Sequence, residues 1–390
     1  MYLKFKADNI FTGTQMLGDD KVLIVDKNGI VESIVDVELA GDDVQTYKGI
    51  ISPGFVNCHC HLELSYLKNS IPKHTGMVDF ILQILSKKSM DIEIIEQAIE
   101  AAENEMIANG IVAVGDICNT TQTIKQKLKN NLQYYNFIEI AGFVPNAAQQ
   151  RFVAGLAVHN EFAKYFANNL NIVPHAPYSV SQNLFNLINQ FSNGKITSIH
   201  NQESEDENLF FEQKQGNFLE LYKTLEIDIS YFKATNKTSL QSSINNLLNA
   251  QKAILVHNTF TSLQDVELIR SLTKLHKTQF YLCLCVITNE YINNCTPNFK
   301  ALFETNQNIV IGTDSLASND CLNILAEIQT IHRLHDNISI EKLLQFATLN
   351  GAKALGFENK LGSFEKGKQP GVLLIDDFLS CKQPKKLVKN

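Results

Sequence analysis

Two histidines one residue apart, His59 and His61, close the apolar stretch Pro53-Gly54-Phe55-Val56-Asn57. Side chains alternate across a strand, so a strand here puts both imidazoles on one face and Cys58 and Cys60 on the other. Two imidazoles so placed can grip one divalent cation. Alone, the pair reads equally as two unrelated histidines at a strand end, so residues far downstream decide the matter. They are His175 in Val173-Pro174-His175-Ala176-Pro177-Tyr178, His200 and Glu203 in His200-Asn201-Gln202-Glu203, His257 in Val256-His257-Asn258, and Asp314 in Gly312-Thr313-Asp314-Ser315. His59, His61, His200 and Asp314 offer three nitrogens and one carboxylate, an open coordination that retains a water and therefore suits catalysis. No lysine ends the fourth strand, where a bridging carbamylated residue would stand. The expectation is one divalent ion, zinc with iron as the alternative.

Elements that could bring these residues together follow from the pattern of the chain. Short β-type runs at Phe55–Leu62, Ile111–Ile117, Gln133–Ile140, Asn171–His175, Lys195–His200, Ala253–His257, Gln279–Cys285 and Asn308–Gly312 alternate with helical stretches. The clearest helix runs from Ile92 to Asn109, with Asp91 as N-cap, Gly110 past its end, and Ile94, Ile95, Ala98, Ile99, Ala102 and Met106 as its buried stripe. Eight such units over roughly 300 residues predict an α/β fold, a (β/α)8 TIM barrel, whose active site lies at the C-terminal ends of the strands. Five of the ten histidines fall at those ends. An open doubly wound sheet is the alternative, disfavoured because no glycine-rich fingerprint follows the first strand. Strands also mark both ends of the chain: Lys21–Lys27 and Ile30–Val35 around the turn Asn28-Gly29, where both positions want positive φ, and Gly371–Asp376 near the other terminus. Neither end suffices for a sheet. The expected organisation is a composite β domain of residues 1–52 and 357–390, interrupted by a barrel of residues 53–356.

Composition narrows the partners. Hydrophobic residues make up 44% and charged ones 19%, an ordinary globular balance. A formal charge of −7 leaves no basic surface for phosphate backbones, so the expected partner is a small-molecule substrate, with no nucleic acid and no membrane surface. Homo-oligomerisation is left open. No signal-peptide pattern follows Met1, and no run of about 18 apolar residues offers a membrane span. Eight cysteines without a secretory signal fit a reduced, cytoplasmic setting. Cys58-x-Cys60 and Cys283-x-Cys285 raise a four-thiolate zinc site, but a one-residue gap is unusual for one, and small apolar packing residues are the better reading. The acidic run Gln202–Glu207 reads mostly as a solvated loop.

With these residues in view, the chain resembles the amidohydrolase superfamily over nearly its whole length. Carrying the resemblance are Pro53-Gly54-Phe55-Val56-Asn57-x-His59-x-His61, His175-Ala176-Pro177-Tyr178-Ser179, His200-x-x-Glu203, Gly312-Thr313-Asp314-Ser315, Ala347-Thr348-Leu349-Asn350-Gly351-Ala352 and Leu361-Gly362-Ser363-Phe364-Glu365-Lys366-Gly367-Lys368. The resemblance implies a metal-dependent barrel with a terminal β domain. His200-x-x-Glu203 and His257, with one metal, are most similar to the mononuclear branch that deaminates aminopurine or aminopyrimidine rings, such as adenosine-type and guanine deaminases. Within it, His59-Cys60-His61-Leu62-Glu63-Leu64-Ser65 and Asp314-Ser315-Leu316-Ala317-Ser318-Asn319 resemble the aminodeoxyfutalosine deaminases of menaquinone biosynthesis.

That resemblance implies roles. Asp314 accepts the proton of the attacking water, Glu203 passes protons to and from the ring, and His257 orients the nucleophile without being a ligand. His175 contacts substrate, and Glu63 and Asp116, at the mouths of strands one and two, hold a ribose or polar tail or else are solvated. Asn319 is a further guess at that mouth. The chain departs from the family at Cys285-Val286-Ile287-Thr288-Asn289, where Cys-Pro-x-Ser-Asn is usual; the lost proline bears on substrate fit. Two alternatives accompany the deaminase reading: a ring-amide hydrolase or chlorohydrolase on the same barrel, and a non-catalytic scaffold.

Overall fold

A computed structural model describes residues 2–87, 90–303 and 308–388. The chain ends of the expected β domain, Met1 and Lys389–Asn390, lie outside the described residues. Eight parallel strands form the barrel: β1 (Phe55–Cys60), β2 (Ile111–Cys118), β3 (Gln133–Ile140), β4 (Leu170–Pro174), β5 (Ile196–Asn201), β6 (Lys252–His257), β7 (Gln279–Leu284) and β8 (Ile309–Ile311). They pair as two four-stranded halves, β1 to β4 and β5 to β8. The halves meet where chemistry was expected. His200 N donates to His175 O (2.9 Å) on one seam, and Thr313 N and Asp314 N donate to His59 O (3.1 and 3.0 Å) on the other. Asn57 adds a side-chain tie across the second seam: its Nδ2 donates to Thr313 Oγ1 (2.7 Å) and its Oδ1 accepts from Thr313 N (3.1 Å).

Burial on both faces explains the near-continuous apolar strands. Ile95, Ile99, Ala102 and Met106 of the helix Ile92–Ala108 pack against the outer faces of the strands. Ile94, expected on that stripe, is exposed, because the stripe is narrower than its apolar residues allow. Val56, Cys58, Phe137, Val256, Cys283 and Val310 fill the interior with Ala352, Leu355 and Leu361. The strand starts are tied to the segment carrying those last residues: Asn350 Nδ2 donates to Ile309 O (2.9 Å), and Lys252 Nζ donates to Lys353 O. The opposite, C-terminal mouth is covered by a third apolar cluster that includes Phe143, Tyr178, Phe210, Phe218 and Tyr222.

Cys58 and Cys60 do not share a face. Cys58 lies in the interior cluster and Cys60 in the strand–helix layer. A β-bulge between Asn57 and Cys60 is the reason, since the three-residue step from Asn57 to Cys60 opposes the two-residue step from Val114 to Asp116. All eight cysteines are unpaired.

Strands from both ends of the chain make the outer β structure. Leu373–Ile375 pairs antiparallel with Ile50–Ser52, which pairs in parallel with Asn9–Phe11. In the turn joining Lys21–Asp26 to Val31–Asp36, only Gly29 takes positive φ (+81°). Asp26 O accepts from Gly29 N (3.0 Å), and Asp26 Oδ1 from Asn28 N and Ile30 N (2.8 Å each), so a longer turn replaces the expected two-residue one. Among the described residues no helix is long and apolar enough to cross a membrane.

Candidate active site and metal centre

The strand ends bring His59, His61, His200 and Asp314 together. His61 Nε2 lies 3.1 Å from His59 Nε2 and 3.3 Å from His200 Nε2. Asp314 Oδ1 lies 3.4 Å from His59 Nε2 and 3.3 Å from His61 Nε2. Metal–ligand bonds of about 2.1 Å in a tetrahedron put neighbouring donors about 3.4 Å apart, so these spacings fit one small divalent ion. Imidazole nitrogens crowded nose to nose cannot all satisfy one another by hydrogen bonds, whereas a shared cation suits them.

Protonation agrees with that fit. Burial holds the His59 and His200 imidazoles below their usual range, in the neutral form that binds metal. For Asp314 burial favours the acid, yet the His59 bond and the rings of His61 and His257 hold its carboxyl well below the ordinary range. Ser318 Oγ donates to Asp314 Oδ2 (2.7 Å) and so turns Oδ1 toward the histidines. His200 Nδ1 pairs with His175 O (2.8 Å), which fixes the ring with Nε2 facing inward. Gly312 keeps the approach open, since a Cβ there would sit 2.8 Å from His59 Cβ and 3.0 Å from each of Cys283 Sγ and Cys285 Sγ.

Beside the four donors stand two groups with an unused atom each. Glu203 Oε1 is 3.4 Å from His257 Nε2, while Glu203 Oε2 and His257 Nε2 have no hydrogen-bond partner although both are buried. Burial, reinforced by Asp314, Glu207 and Glu139, pushes the Glu203 carboxyl well above its ordinary range. Burial likewise holds His257 down to about 3. The other face of His257 is fixed by Asn289, Nδ1 to Oδ1, 3.0 Å. The atypical Cys285–Asn289 stretch thus supports the centre from behind, for Thr288 Oγ1 also donates to Thr313 O (3.2 Å). Gln202 (φ 47°), His257 (75°), Asn258 (56°) and Asp314 (55°) all occupy the left-handed region. Non-glycine residues held there cluster where function over-determines the backbone.

These observations meet in one comparison: residues 50–389 match the Amidohydrolase family. The chain belongs to that family. A 5-methylthioadenosine/S-adenosylhomocysteine deaminase of Teredinibacter turnerae is 24% identical to it over 342 residues, 84% of this chain and 72% of that protein. The structure of Helicobacter pylori aminofutalosine deaminase with methylthio-coformycin matches with a TM-score of 0.77 at 22% identity, covering 98% of this chain and 97% of that one. An adenosine deaminase from Xanthomonas campestris with bound zinc gives 0.72 at 19%, covering 96% and 84%. The α/β barrel with small terminal sheets is therefore the amidohydrolase fold.

Not every expected residue of this amidohydrolase faces the centre. His175 does border it, its ring 4.7 Å from that of His200 and its Nδ1 2.6 Å from Ser179 Oγ. Glu63 and Asp116, expected to hold a substrate tail or lie in solvent, are buried and turned into the scaffold. Glu63 accepts from Asn119 N (2.9 Å), Thr120 N (3.0 Å) and Thr120 Oγ1 (2.7 Å). Asp116 accepts from Leu62 N (2.8 Å) and pairs with Lys127 Nζ (2.5 Å), both charges fully buried. Asn319, expected at the same mouth, donates to Thr313 O (2.9 Å) behind Asp314.

The Lys127–Asp116 pair has a measurable consequence. Burial is the largest single influence and opposes the Lys127 charge, but Asp116 and Cys118 together hold the ammonium above its ordinary range. Lys127→Met leaves a carboxylate buried without its cation, a loss of about 3–5 kcal/mol. Urea unfolding should show it as a lowered midpoint at unchanged slope, and a change under about 1 kcal/mol would remove the pair from the stabilising contacts.

Sequence reasoning passed over Glu139, gave Tyr178 no role, and took Asn289 only as part of a stretch bearing on substrate fit. Glu139 ends β3 with Oε2 unpartnered, 3.4 Å from His200 Nδ1, and Tyr178 keeps a buried, unpartnered hydroxyl. A carboxylate at the C-terminal end of an apolar strand was the available signal for Glu139. The acidic run also reads differently, because Gln202, Glu203, Ser204 and Glu207 are buried and only Glu205 and Asp206, at the start of the helix Glu205–Gln213, reach the surface.

Proposed function

We propose that the chain is a metal-dependent hydrolytic deaminase that replaces an exocyclic amine of a purine-type ring with oxygen and releases ammonia. The observation that carries this reading is the buried, unpartnered Glu203 Oε2, its carboxyl pushed up by burial, beside the unpartnered His257 Nε2 and the donors of His59, His61, His200 and Asp314. A closed structural metal site has no use for a proton donor at its edge, whereas ring hydrolysis needs one. The relatives named above support the same class.

His59, His61, His200 and Asp314 would hold the ion. With a divalent ion held by these residues, the pKa of water would fall from 15.7 to about 7, which would supply a nucleophile near neutral pH. Asp314 accepts the proton of the attacking water. Glu203 donates its proton to the ring nitrogen as the neighbouring carbon becomes tetrahedral. Proton return through the same two carboxyls converts the amine into departing ammonia and leaves a ring carbonyl. His257, neutral and held by Asn289, orients the nucleophile and steadies developing charge. The apolar cover over the mouth excludes bulk water, which strengthens each of these interactions.

The finer reading is an adenine nucleoside substituted at the 5′ position, such as aminodeoxyfutalosine. Glu63 and Asp116 no longer speak for it, since both are occupied; His175 and the unpartnered Glu139 Oε2 and Tyr178 hydroxyl are the polar groups left for such a ligand. Buried groups that lose their partner discriminate strongly against ligands lacking the matching atom. With metal-loaded protein, ammonia release should favour aminodeoxyfutalosine and 5′-methylthioadenosine over adenine, guanine and cytosine. An equal or greater kcat/KM on a free base overturns the nucleoside assignment, and no ammonia from any aminated ring overturns deamination in favour of ring-amide hydrolysis.

A further inference from the structure

Glu207 is the third residue of the helix Glu205–Gln213, whose N-cap is Ser204. A carboxylate at that position ordinarily reaches back to the N-cap amide, completing a capping box. Here it bypasses Ser204 and reaches further. Oε1 accepts from Gln202 N and Oε2 from Glu203 N, both at 3.1 Å, and Ser239 Oγ also donates to Oε1. An acidic residue serving only the helix dipole would sit in solvent, but Glu207 is completely buried.

The two amides flank Gln202, whose φ of 47° a side-chain-bearing residue rarely adopts. Successive N–H groups across a left-handed residue form a small anion-binding concavity, and an internal carboxylate fills this one. The neighbouring contacts close the other sides. Gln202 Nε2 donates to Asn208 Oδ1 (3.2 Å) and Asp265 Oδ2 (3.1 Å), Thr261 Oγ1 donates to Gln202 Oε1 (2.7 Å), and Asn293 Nδ2 donates to Glu203 O (3.1 Å). The backbone N–H and C=O of Glu203 are both held, while its own Oε2 is free.

We infer that Glu207 is a positioning residue: its carboxylate fixes the left-handed Gln202–Glu203 turn and thereby aims the Glu203 carboxyl at the reacting ring. The inference rests on the reading of Glu203 as the proton-transferring group. Misplacement by about 1 Å of a group that must meet a reacting atom can cost about 10²-fold in rate. Glu207→Gln keeps size but sets an NH2 against one of the two amide donors, so one bond is lost.

The test is a double-mutant cycle on metal-loaded protein, following ammonia release from 5′-methylthioadenosine and adenosine. Glu207→Gln should lower kcat about 10–100-fold with KM within about threefold and metal content unchanged. In the Glu203→Gln background it should change kcat by less than about threefold, because the group being aimed is gone. Ser239→Ala removes the third bond to the same carboxylate but neither amide bond, and should lower Tm while keeping kcat. Equal losses from Glu207→Gln in both backgrounds, or a kcat loss in Ser239→Ala as large, assign Glu207 to stability alone and overturn the inference. So does parental activity in Glu207→Gln while Glu203→Gln is crippled. Parental activity in Glu203→Gln instead brings down the proton-transfer reading itself, and this inference with it.

Discussion

Glu203→Gln is expected to lower kcat by about 10²–10⁴ while leaving the metal and the fold in place, the range for removing a general acid–base group. The substitution keeps the shape of a side chain that is 3% exposed and removes only its ability to carry a proton. Oε2 makes no hydrogen bond that glutamine would break, and the backbone N–H and C=O that hold the residue, to Glu207 and Asn293, are untouched. Ammonia release at saturating substrate, with metal content measured on the same samples, separates chemistry from assembly. A variant with full metal and near-parental kcat would move the proton shuttle to another group, with Glu139 the first candidate.

The second large effect is expected on metal content. Purified protein should carry about one equivalent of a divalent ion, and His200→Ala should fall far below that. Loss of groups that merely support a ligand costs 10–100-fold in affinity, so losing a ligand should cost more than about 100-fold. The proposed ligands come from both half-barrels: His59 and His61 end β1 in one four-stranded half, while His200 and Asp314 lie at the ends of β5 and β8 in the other. Chelation of the parent should therefore lower its unfolding temperature, and added zinc should restore it in proportion to the logarithm of its concentration. In His200→Ala that zinc response should shrink or vanish. Two equivalents in the parent, or an unchanged content and response in the variant, would exclude this ligand set.

What could be read from the sequence was the part governed by local rules. Apolar runs of strand length marked the eight barrel strands to within a residue or two, because a parallel strand buried on both faces leaves no alternation to confuse the pattern. The same rule showed which ends carry His59, His200, His257 and Asp314. What could not be read depends on partners far along the chain. Asp116 looked free until Lys127 and the Leu62 amide met it, and Glu63 until Asn119 and Thr120 did. Glu207 was one acid in a charged run, and its burial follows from Ser239, more than thirty residues away. The bulge in β1 was equally invisible, since an extra residue in a strand leaves no mark on composition.

The pairing of Ile50–Ser52 with Leu373–Ile375 sets an order of events during synthesis. About 320 residues separate the two strands, so a ribosome adding roughly 5–20 residues per second delivers the second strand tens of seconds after the first. Until then one edge of Ile50–Ser52 has no neighbour, while its other edge already has Asn9–Phe11. The barrel sequence emerges whole within that interval, and domains generally fold as units once they emerge. The outer sheet is therefore finished after the barrel, and until then the nascent chain carries an open strand edge of three residues. Shortness protects it: three residues present too few free amides and carbonyls to recruit a neighbouring chain before the proper partner arrives.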